Sequence, residues 1–251
     1  MRVRVRGGRF ATTDVAIARG RELAAEGADW VDVGGESTRP GAEPVALDDE
    51  LRRVLPVVEA LASDGLAVSI DTRKPEVARA AVAAGARLVN DVTASLGEVA
   101  AELGVGWVAM HAQGDPTTMQ DDPRYDDVVA EVGDFLEERA EWALANGVPE
   151  VWIDPGIGFG KTADHNLALL AHLDELVATG HPVVVGTSRK AFLGRLLAAS
   201  DGVDQPVPTD DRLEGSLATP TGALANGAAI VRVHEVRAAP QAVHVVAGEI
   251  R

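Results

Sequence analysis

The stretch Val151-Trp152-Ile153-Asp154-Pro155-Gly156-Ile157-Gly158-Phe159-Gly160-Lys161-Thr162 passes from an apolar run to a carboxylate and then at once into a glycine-rich loop. A strand buried on both faces, as in a parallel sheet, delivers a charged group to a pocket in this way. A carboxylate so placed must be hydrogen-bonded or lose its charge, so Asp154 is expected to face a ligand that offers N–H donors.

The same design recurs along the chain. Trp30-Val31-Asp32-Val33 opens into Gly34-Gly35-Glu36-Ser37-Thr38-Arg39-Pro40-Gly41, and Ala67-Val68-Ser69-Ile70 into Asp71-Thr72. Leu88-Val89 leads to Asn90-Asp91, and Trp107-Val108-Ala109-Met110 to His111. Pro182-Val183-Val184-Val185 leads to Gly186-Thr187-Ser188-Arg189-Lys190, and Ala229-Ile230-Val231 to Arg232-Val233-His234. Helical spacing follows these runs. It predicts a helix capped by Thr13 and running to Gly27, and helices over 47–61, 75–85, 97–103, 128–145, 166–177, 191–199 and 213–225. Arg2-Val3-Arg4-Val5-Arg6 alternates with period two and reads as a short first strand, a weak one because arginine at every second position does not suit burial on both faces. Strand then helix, repeated without a linker or composition shift, predicts a (β/α)₈ TIM barrel in one domain over residues 1–251. An open doubly wound sheet is the alternative, but polar groups at nearly every strand end suit a closed ring whose ends converge on one mouth.

Composition limits what that mouth can serve. Lys and Arg total 23 against 39 acidic residues, a formal charge of −16, which disfavours nucleic acid or an anionic membrane surface as the principal partner. There is no cysteine, so neither a disulfide framework nor a thiolate metal site is possible, and a cytoplasmic enzyme is the default expectation. No apolar run approaches the roughly 20 residues of a membrane span.

The groups just after the strands are Thr38, Arg39, Asp71, Asn90, His111, Asp154, Ser188, Lys190, Arg232 and His234. Two carboxylates and an amide can read the edge of a donor-rich heterocycle. Lys190, Arg232, His234 and Arg39 supply the local positive charge a phosphate needs in an acidic protein. Plainer readings stand beside these. Asp71 and Asn90 precede helices and could be turn or N-cap residues. His111 and His234 could be structural, or with Asp71 and Asp154 the metal ligands of a barrel hydrolase, although no His-x-His pair follows an early strand. A phosphate-binding Gly-x-x-x-x-Gly-Lys-Thr loop would need glycine at position 155, where proline stands. Lys190 could simply neutralise a strand-end carboxylate. Trp30, Trp107, Trp142 and Trp152 lie in apolar runs and read as core.

Taken together, in order and spacing, the segments 34–41, 69–72, 90–91, 110–111, 154–161, 186–190 and 232–234 resemble the dihydropteroate synthase family from about Gly7 to the C-terminus. The resemblance implies the same barrel. It implies condensation of 6-hydroxymethyl-7,8-dihydropterin pyrophosphate with p-aminobenzoate to 7,8-dihydropteroate and pyrophosphate, a step of folate synthesis with Mg²⁺ as cofactor. By resemblance Asp71, Asn90, Asp154 and Lys190 bind the pterin, with Met110 among the substrate-binding residues. Thr38, Arg232 and His234 hold the pyrophosphate, and Ser188, Lys190, Pro40 and Phe159 line the p-aminobenzoate site. Arg39 adds charge at the same mouth. Lys190, Arg232 and His234 carry the catalytic task, neutralising the leaving group while the amine is positioned; no strong general base is required. The resemblance also implies a homodimer and inhibition by sulfonamides, which mimic p-aminobenzoate.

The match departs from the family at its start. Gly7-Gly8-Arg9 is preceded by Met1 to Arg6, where the family has a strand running into an Asn-Val-Thr-Pro-Asp-Ser-Phe-Ser-Asp loop. That loop carries an asparagine contact to Mg²⁺ and pyrophosphate and folds over the site. The implied consequence is a barrel whose first strand is weak or missing, an open seam between the second and last strands, and no family metal ligand. Three readings follow: a longer true start, a shortened and impaired enzyme, or a pterin-binding protein without synthase activity. A related barrel occurs in the pterin domain of corrinoid-dependent methyltransferases, from which Ser188-Arg189-Lys190 and Gly158-Phe159-Gly160-Lys161 separate this chain. Glu235 stands where the family more often has aspartate.

Overall fold

The computed structural model describes residues 2–6, 12–37, 42–114 and 117–248. Its elements run β1 (Arg2–Arg6), α1 (Thr13–Ala25), β2 (Trp30–Gly34), α2 (Leu47–Ser63), β3 (Val68–Asp71), α3 (Pro75–Ala83), β4 (Leu88–Asp91), α4 (Gly97–Leu103) and β5 (Gly106–Met110). They continue α5 (Val128–Ala145), β6 (Val151–Asp154), α6 (Ala163–Ala171), α7 (Leu173–Ala178), β7 (Val184–Val185), α8 (Ala191–Asp201), α9 (Leu213–Ala225), β8 (Ile230–Val233) and α10 (Ala238–Ala247).

Helix starts follow local chemistry. Asp127 caps α5 by accepting from the N–H groups of Val129 and Ala130, and Pro75 opens α3 where its missing N–H is not needed. The cap of α1 is Thr12, not Thr13: its hydroxyl accepts from Val15 N–H. The helix expected over 166–177 is two helices, broken at His172, where the backbone turns to φ −109° and ψ 33°.

All strand pairs are parallel, in the order β6-β5-β4-β3-β2-β1-β8-β7. The ring is completed between β6 and β7 by a single bridge, Ile153 to Val183, with Ile153 N–H donating to Pro182 O at 3.0 Å. The architecture is the (β/α)₈ barrel. The first strand is present, and it fills the seam where a gap between β2 and β8 was one expectation: β1 pairs with β2 over its whole length. Its weakness shows on the other side, where only Arg2 and Val3 meet β8, at Arg232 and Val233.

Side chains alternate between two environments along each strand. Val33, Ile70, Val89, Trp107 and Ile153 point outward and pack under the helices against residues such as Leu61 and Leu136. The inward set begins, at the N-terminal ends, with an apolar plug: Leu88, Val108, Trp152 and Val184, with Trp30 and Ile230 against it. Trp30 and Trp152 meet edge to face, centroids 5.9 Å apart. Trp107 is core as well, but Trp142 is 40% exposed on α5. Its apolar neighbours in sequence belong to a helix with one wet face, not to a buried strand.

Candidate active site

One step further along the strands, the inward positions become polar. They are Asp32 on β2, Ser69 and Asp71 on β3, Asn90 on β4, Asp154 at the end of β6 and Arg232 on β8. The Arg232 guanidinium donates to Asp154 Oδ2 at 2.5 Å and reaches Asp32 Oδ2 at 3.5 Å. Burial works against its charge, but Asp154, Asp32 and Asp71 outweigh that and hold its pKa above the ordinary arginine value. Gly186 gives the guanidinium room: a Cβ there would stand 3.1 Å from Arg232 Nε. Asp32 also accepts from Ser69 Oγ at 2.7 Å and Asn90 Nδ2 at 3.0 Å, while Asp154 Oδ1 takes the N–H of Gly156 at 2.8 Å. Three buried carboxylates thus gather about the Arg232 guanidinium, and the floor of the barrel mouth presents several acceptors. Such a floor suits a ligand that brings several N–H donors.

Above it opens a cavity of about 850 Å³, lined by Asp71, Asn90 and Met110 on one side and by Phe159, Lys190 and His234 on the other. Lys190 Nζ donates to Ile157 O and lies 4.5 Å from the centre of the Phe159 ring. Ser188 Oγ stands 2.9 Å from His234 Nδ1 and donates to Glu235 Oε2 at 2.8 Å. Because the carboxylate can only accept, the single hydroxyl proton goes to Glu235, and His234 Nδ1 carries the hydrogen that Ser188 receives. Arg189, between them, sits in the left-handed region at φ 60°. A non-glycine residue there costs about 1–3 kcal/mol and needs its surroundings to impose it. Ser216 Oγ takes its N–H at 3.0 Å, Glu235 its Nε at 2.6 Å, and Arg212 donates to its carbonyl at 3.0 Å.

The structure sorts the expected residues. Asp71, Asn90, Met110, Asp154, Phe159, Ser188, Lys190, Arg232 and His234 all border the mouth or its floor. Thr38, Arg39 and Pro40 lie outside the described residues. His111 sits behind the loop that follows β6, its ring edge-on to Phe135 at 5.1 Å and its Nδ1 2.8 Å from Lys161 Nζ. The turn-holding role weighed for Asp71 and Asn90 belongs to Asp91, which accepts from the backbone N–H groups of Thr93, Ser95 and Leu96 and from Trp107 Nε1. Among the described residues no three His, Asp or Glu side chains converge to hold a metal ion. Asp32, Ser69 and Glu235 were not among the expected site residues. The alternation Trp30-Val31-Asp32-Val33 carried a signal for Asp32: its parity is that of Trp30, and a carboxylate inside a doubly buried strand must have partners.

The comparisons with known proteins agree with this geometry. The pterin binding enzyme family matches residues 3–234. The dihydropteroate synthase of Mycobacterium leprae is 48% identical over 248 residues, covering 96% of this chain and 87% of that relative. The structure of dihydropteroate synthase from Thermus thermophilus in complex with 4-aminobenzoate superposes with a TM-score of 0.87 at 48% identity, covering 99% of this chain and 94% of that one. A second structure of the Thermus enzyme, in complex with 6HMPPP, gives a TM-score of 0.83 at 46% identity, covering 98% and 91% of the two chains. A closed parallel barrel with an acceptor-rich floor, a cationic rim and this degree of likeness leads to one conclusion: the chain belongs to the dihydropteroate synthase family of pterin-binding enzymes.

Proposed function

We infer that the mouth of this barrel condenses 6-hydroxymethyl-7,8-dihydropterin pyrophosphate with p-aminobenzoate, giving 7,8-dihydropteroate and pyrophosphate. The observation that carries this reading is the floor itself, where Asp32, Asp71, Asn90 and Asp154 are gathered, buried, about the guanidinium of Arg232 at the cavity mouth. A pterin ring brings N–H donors that such carboxylates and amides can read. In this reading Asp71, Asn90 and Asp154 orient the ring, with Met110 and Lys190 beside it. Arg232 on β8 and His234 just past its end, both lining the cavity, take the diphosphate together with Thr38, and Arg39 adds charge. Ser188, Lys190, Phe159 and Pro40 hold p-aminobenzoate.

The chemistry asks little more of the protein. The bond from the exocyclic methylene to the diphosphate oxygen breaks, its electron pair leaving with the oxygen, and ring electrons stabilise the methylene cation. The amine nitrogen forms the new C–N bond and releases a proton to solvent. Neutralising the leaving group and holding the amine in line supply the acceleration. Mg²⁺ is part of the proposal as a counter-ion that neutralises charge on the diphosphate. Its preference for hard oxygens and water suits that group, whereas the described residues form no cage for it.

We further propose a cytoplasmic homodimer acting in folate synthesis. Among the described residues no helix is long and apolar enough to cross a membrane. An apolar groove between α9 and α10, lined by Leu217, Gly222, Ala242 and Val246, offers a face for a second copy.

The test is pyrophosphate release by the purified protein with pterin pyrophosphate and Mg²⁺, with and without p-aminobenzoate. Release that depends on p-aminobenzoate and is inhibited competitively by a sulfonamide is expected. Tight binding of pterin pyrophosphate without release would replace this reading by that of a pterin-binding protein.

A further inference from the structure

We propose that Lys161 is a positioning residue for the amine-acceptor step: its buried ammonium fixes the backbone of the loop over residues 156–160 and thereby the ring of Phe159. The inference rests on the reading that p-aminobenzoate sits between Phe159 and Lys190.

Lys161 is 3% exposed, although nothing in an apolar core calls for an amine. Its Nζ lies 2.8 Å from His111 Nδ1, 3.2 Å from Phe159 O, 3.3 Å from Gly156 O and 3.5 Å from His111 O. Every one of these is an acceptor, provided His111 carries its hydrogen on Nε2. An ammonium has three hydrogens to give them, and an uncharged amine has two. Moving a charge into such a place is costly unless it is fully hydrogen-bonded, so the arrangement is more demanding than a methylene chain of the same volume would be.

The loop explains the demand. Each carbonyl from Gly156 to Gly160 is taken by a side chain: Ile157 O by Lys190 Nζ, Gly158 O by Gln120 Nε2 at 2.8 Å, Gly160 O by the Tyr125 hydroxyl at 2.8 Å, and the other two by Lys161. The N–H of Gly158 is held by Asn166 Oδ1 at 2.7 Å. Among these donors Lys161 alone spans two carbonyls, and one belongs to Phe159. The loop is set like a plate held from several sides, with Phe159 facing Lys190 above it.

The groups facing Lys161 Nζ fix how the clamp answers to pH. Burial and the Lys161 charge push His111 down to about 3, so the imidazole is neutral and its Nδ1 accepts. Burial pulls Lys161 down to about 7 against the opposing charge of Asp154, and the Tyr125 ring lies 5.8 Å from Nζ. Above neutrality the clamp therefore loses a donor.

Lys161→Met, Lys161→Arg and the unaltered protein would be compared between about pH 6 and about pH 9. For Lys161→Met the KM for p-aminobenzoate should rise about tenfold, the worth of one charged hydrogen bond, while pterin pyrophosphate affinity stays within about twofold. In the unaltered protein the same KM should rise above neutrality, and in Lys161→Arg, whose guanidinium does not titrate, it should stay level. Amide exchange over residues 156–160 should quicken in Lys161→Met. An unchanged KM, an equal loss for both substrates, or a pH rise that persists in Lys161→Arg overturns the proposal. Should Lys161→Met fail to fold, the Arg profile decides. If the unaltered protein releases no pyrophosphate, the functional reading fails instead, and unchanged amide exchange in a folded variant still refutes the clamp.

Discussion

The two inward layers of this barrel are built on the same strands and differ by one step of the pleat. Trp152 and Asp154 are two residues apart on β6, and so are Ile230 and Arg232 on β8 and Leu88 and Asn90 on β4. The lower layer is apolar. The upper one gathers three carboxylates, an amide and a guanidinium. The lower layer satisfies itself by packing, which asks only for volume and shape. The upper layer presents buried carboxylate and amide groups to an open cavity, where a ligand with N–H donors can meet them. Stability and recognition are thus stacked along one axis, and substitutions should separate them.

The sharpest way to break that comparison is to empty the plug. Trp152→Ala should lower unfolding free energy by about 3–5 kcal/mol in urea denaturation, while the molecules that remain folded keep their rate of pyrophosphate release. An equal loss of turnover in the folded fraction would show that the layers are not separate. From the other side, Asp154→Asn removes the charge of a carboxylate that meets Arg232 and the N–H of Gly156 at the mouth. Its affinity for pterin pyrophosphate should fall by about 2–3 kcal/mol in calorimetry, with a smaller loss of stability because the amide oxygen can still accept from Arg232, and a loss of stability exceeding the loss of affinity would count against the division. The effect that vanishes at neutral pH concerns His111, which belongs to neither layer. Its pKa is lowered from 6.5 to about 3 by burial and by Lys161. The unfolded chain takes up this proton below about pH 6.5 and the folded chain does not, so stability is full above that value. It is lost as pH falls toward about 3, by up to about 1.4 kcal/mol per pH unit from this site. His111→Asn should flatten that part of the stability profile.

Much of this was legible in the sequence because parallel strands announce themselves by apolar runs that end in polar residues. Asp154, Asn90 and Lys190 lie where such runs predict. The first strand was harder to read, since Arg2-Val3-Arg4-Val5-Arg6 carries no apolar run; its period-two alternation gave only a weak strand, which the pairing with Trp30–Gly34 establishes. Asp32 escaped because attention to strand ends passes over a charge in mid-strand. Its partners Ser69, Asn90 and Arg232 come from strands distant in the chain, and no local pattern joins them. Trp142 misled in the opposite sense: an indole among alanines and leucines reads as core whether or not its helix face is wet. The hydrogen bonds among Ser188, Glu235 and Arg189 depend on two adjacent strand ends meeting, which spacing alone does not encode.

Gly156 has φ +65°, and a Cβ there would fall 1.7 Å from the carbonyl oxygen of His111. The segments that follow β5 and β6 therefore meet backbone to backbone, with no side chain between them to absorb a mismatch. For anyone transplanting parts between members of this fold, the two segments behave as a single component. Exchanging one alone imports a contour cut for a different neighbour, so a chimera should carry residues 111–114 and 154–161 together or leave both in place.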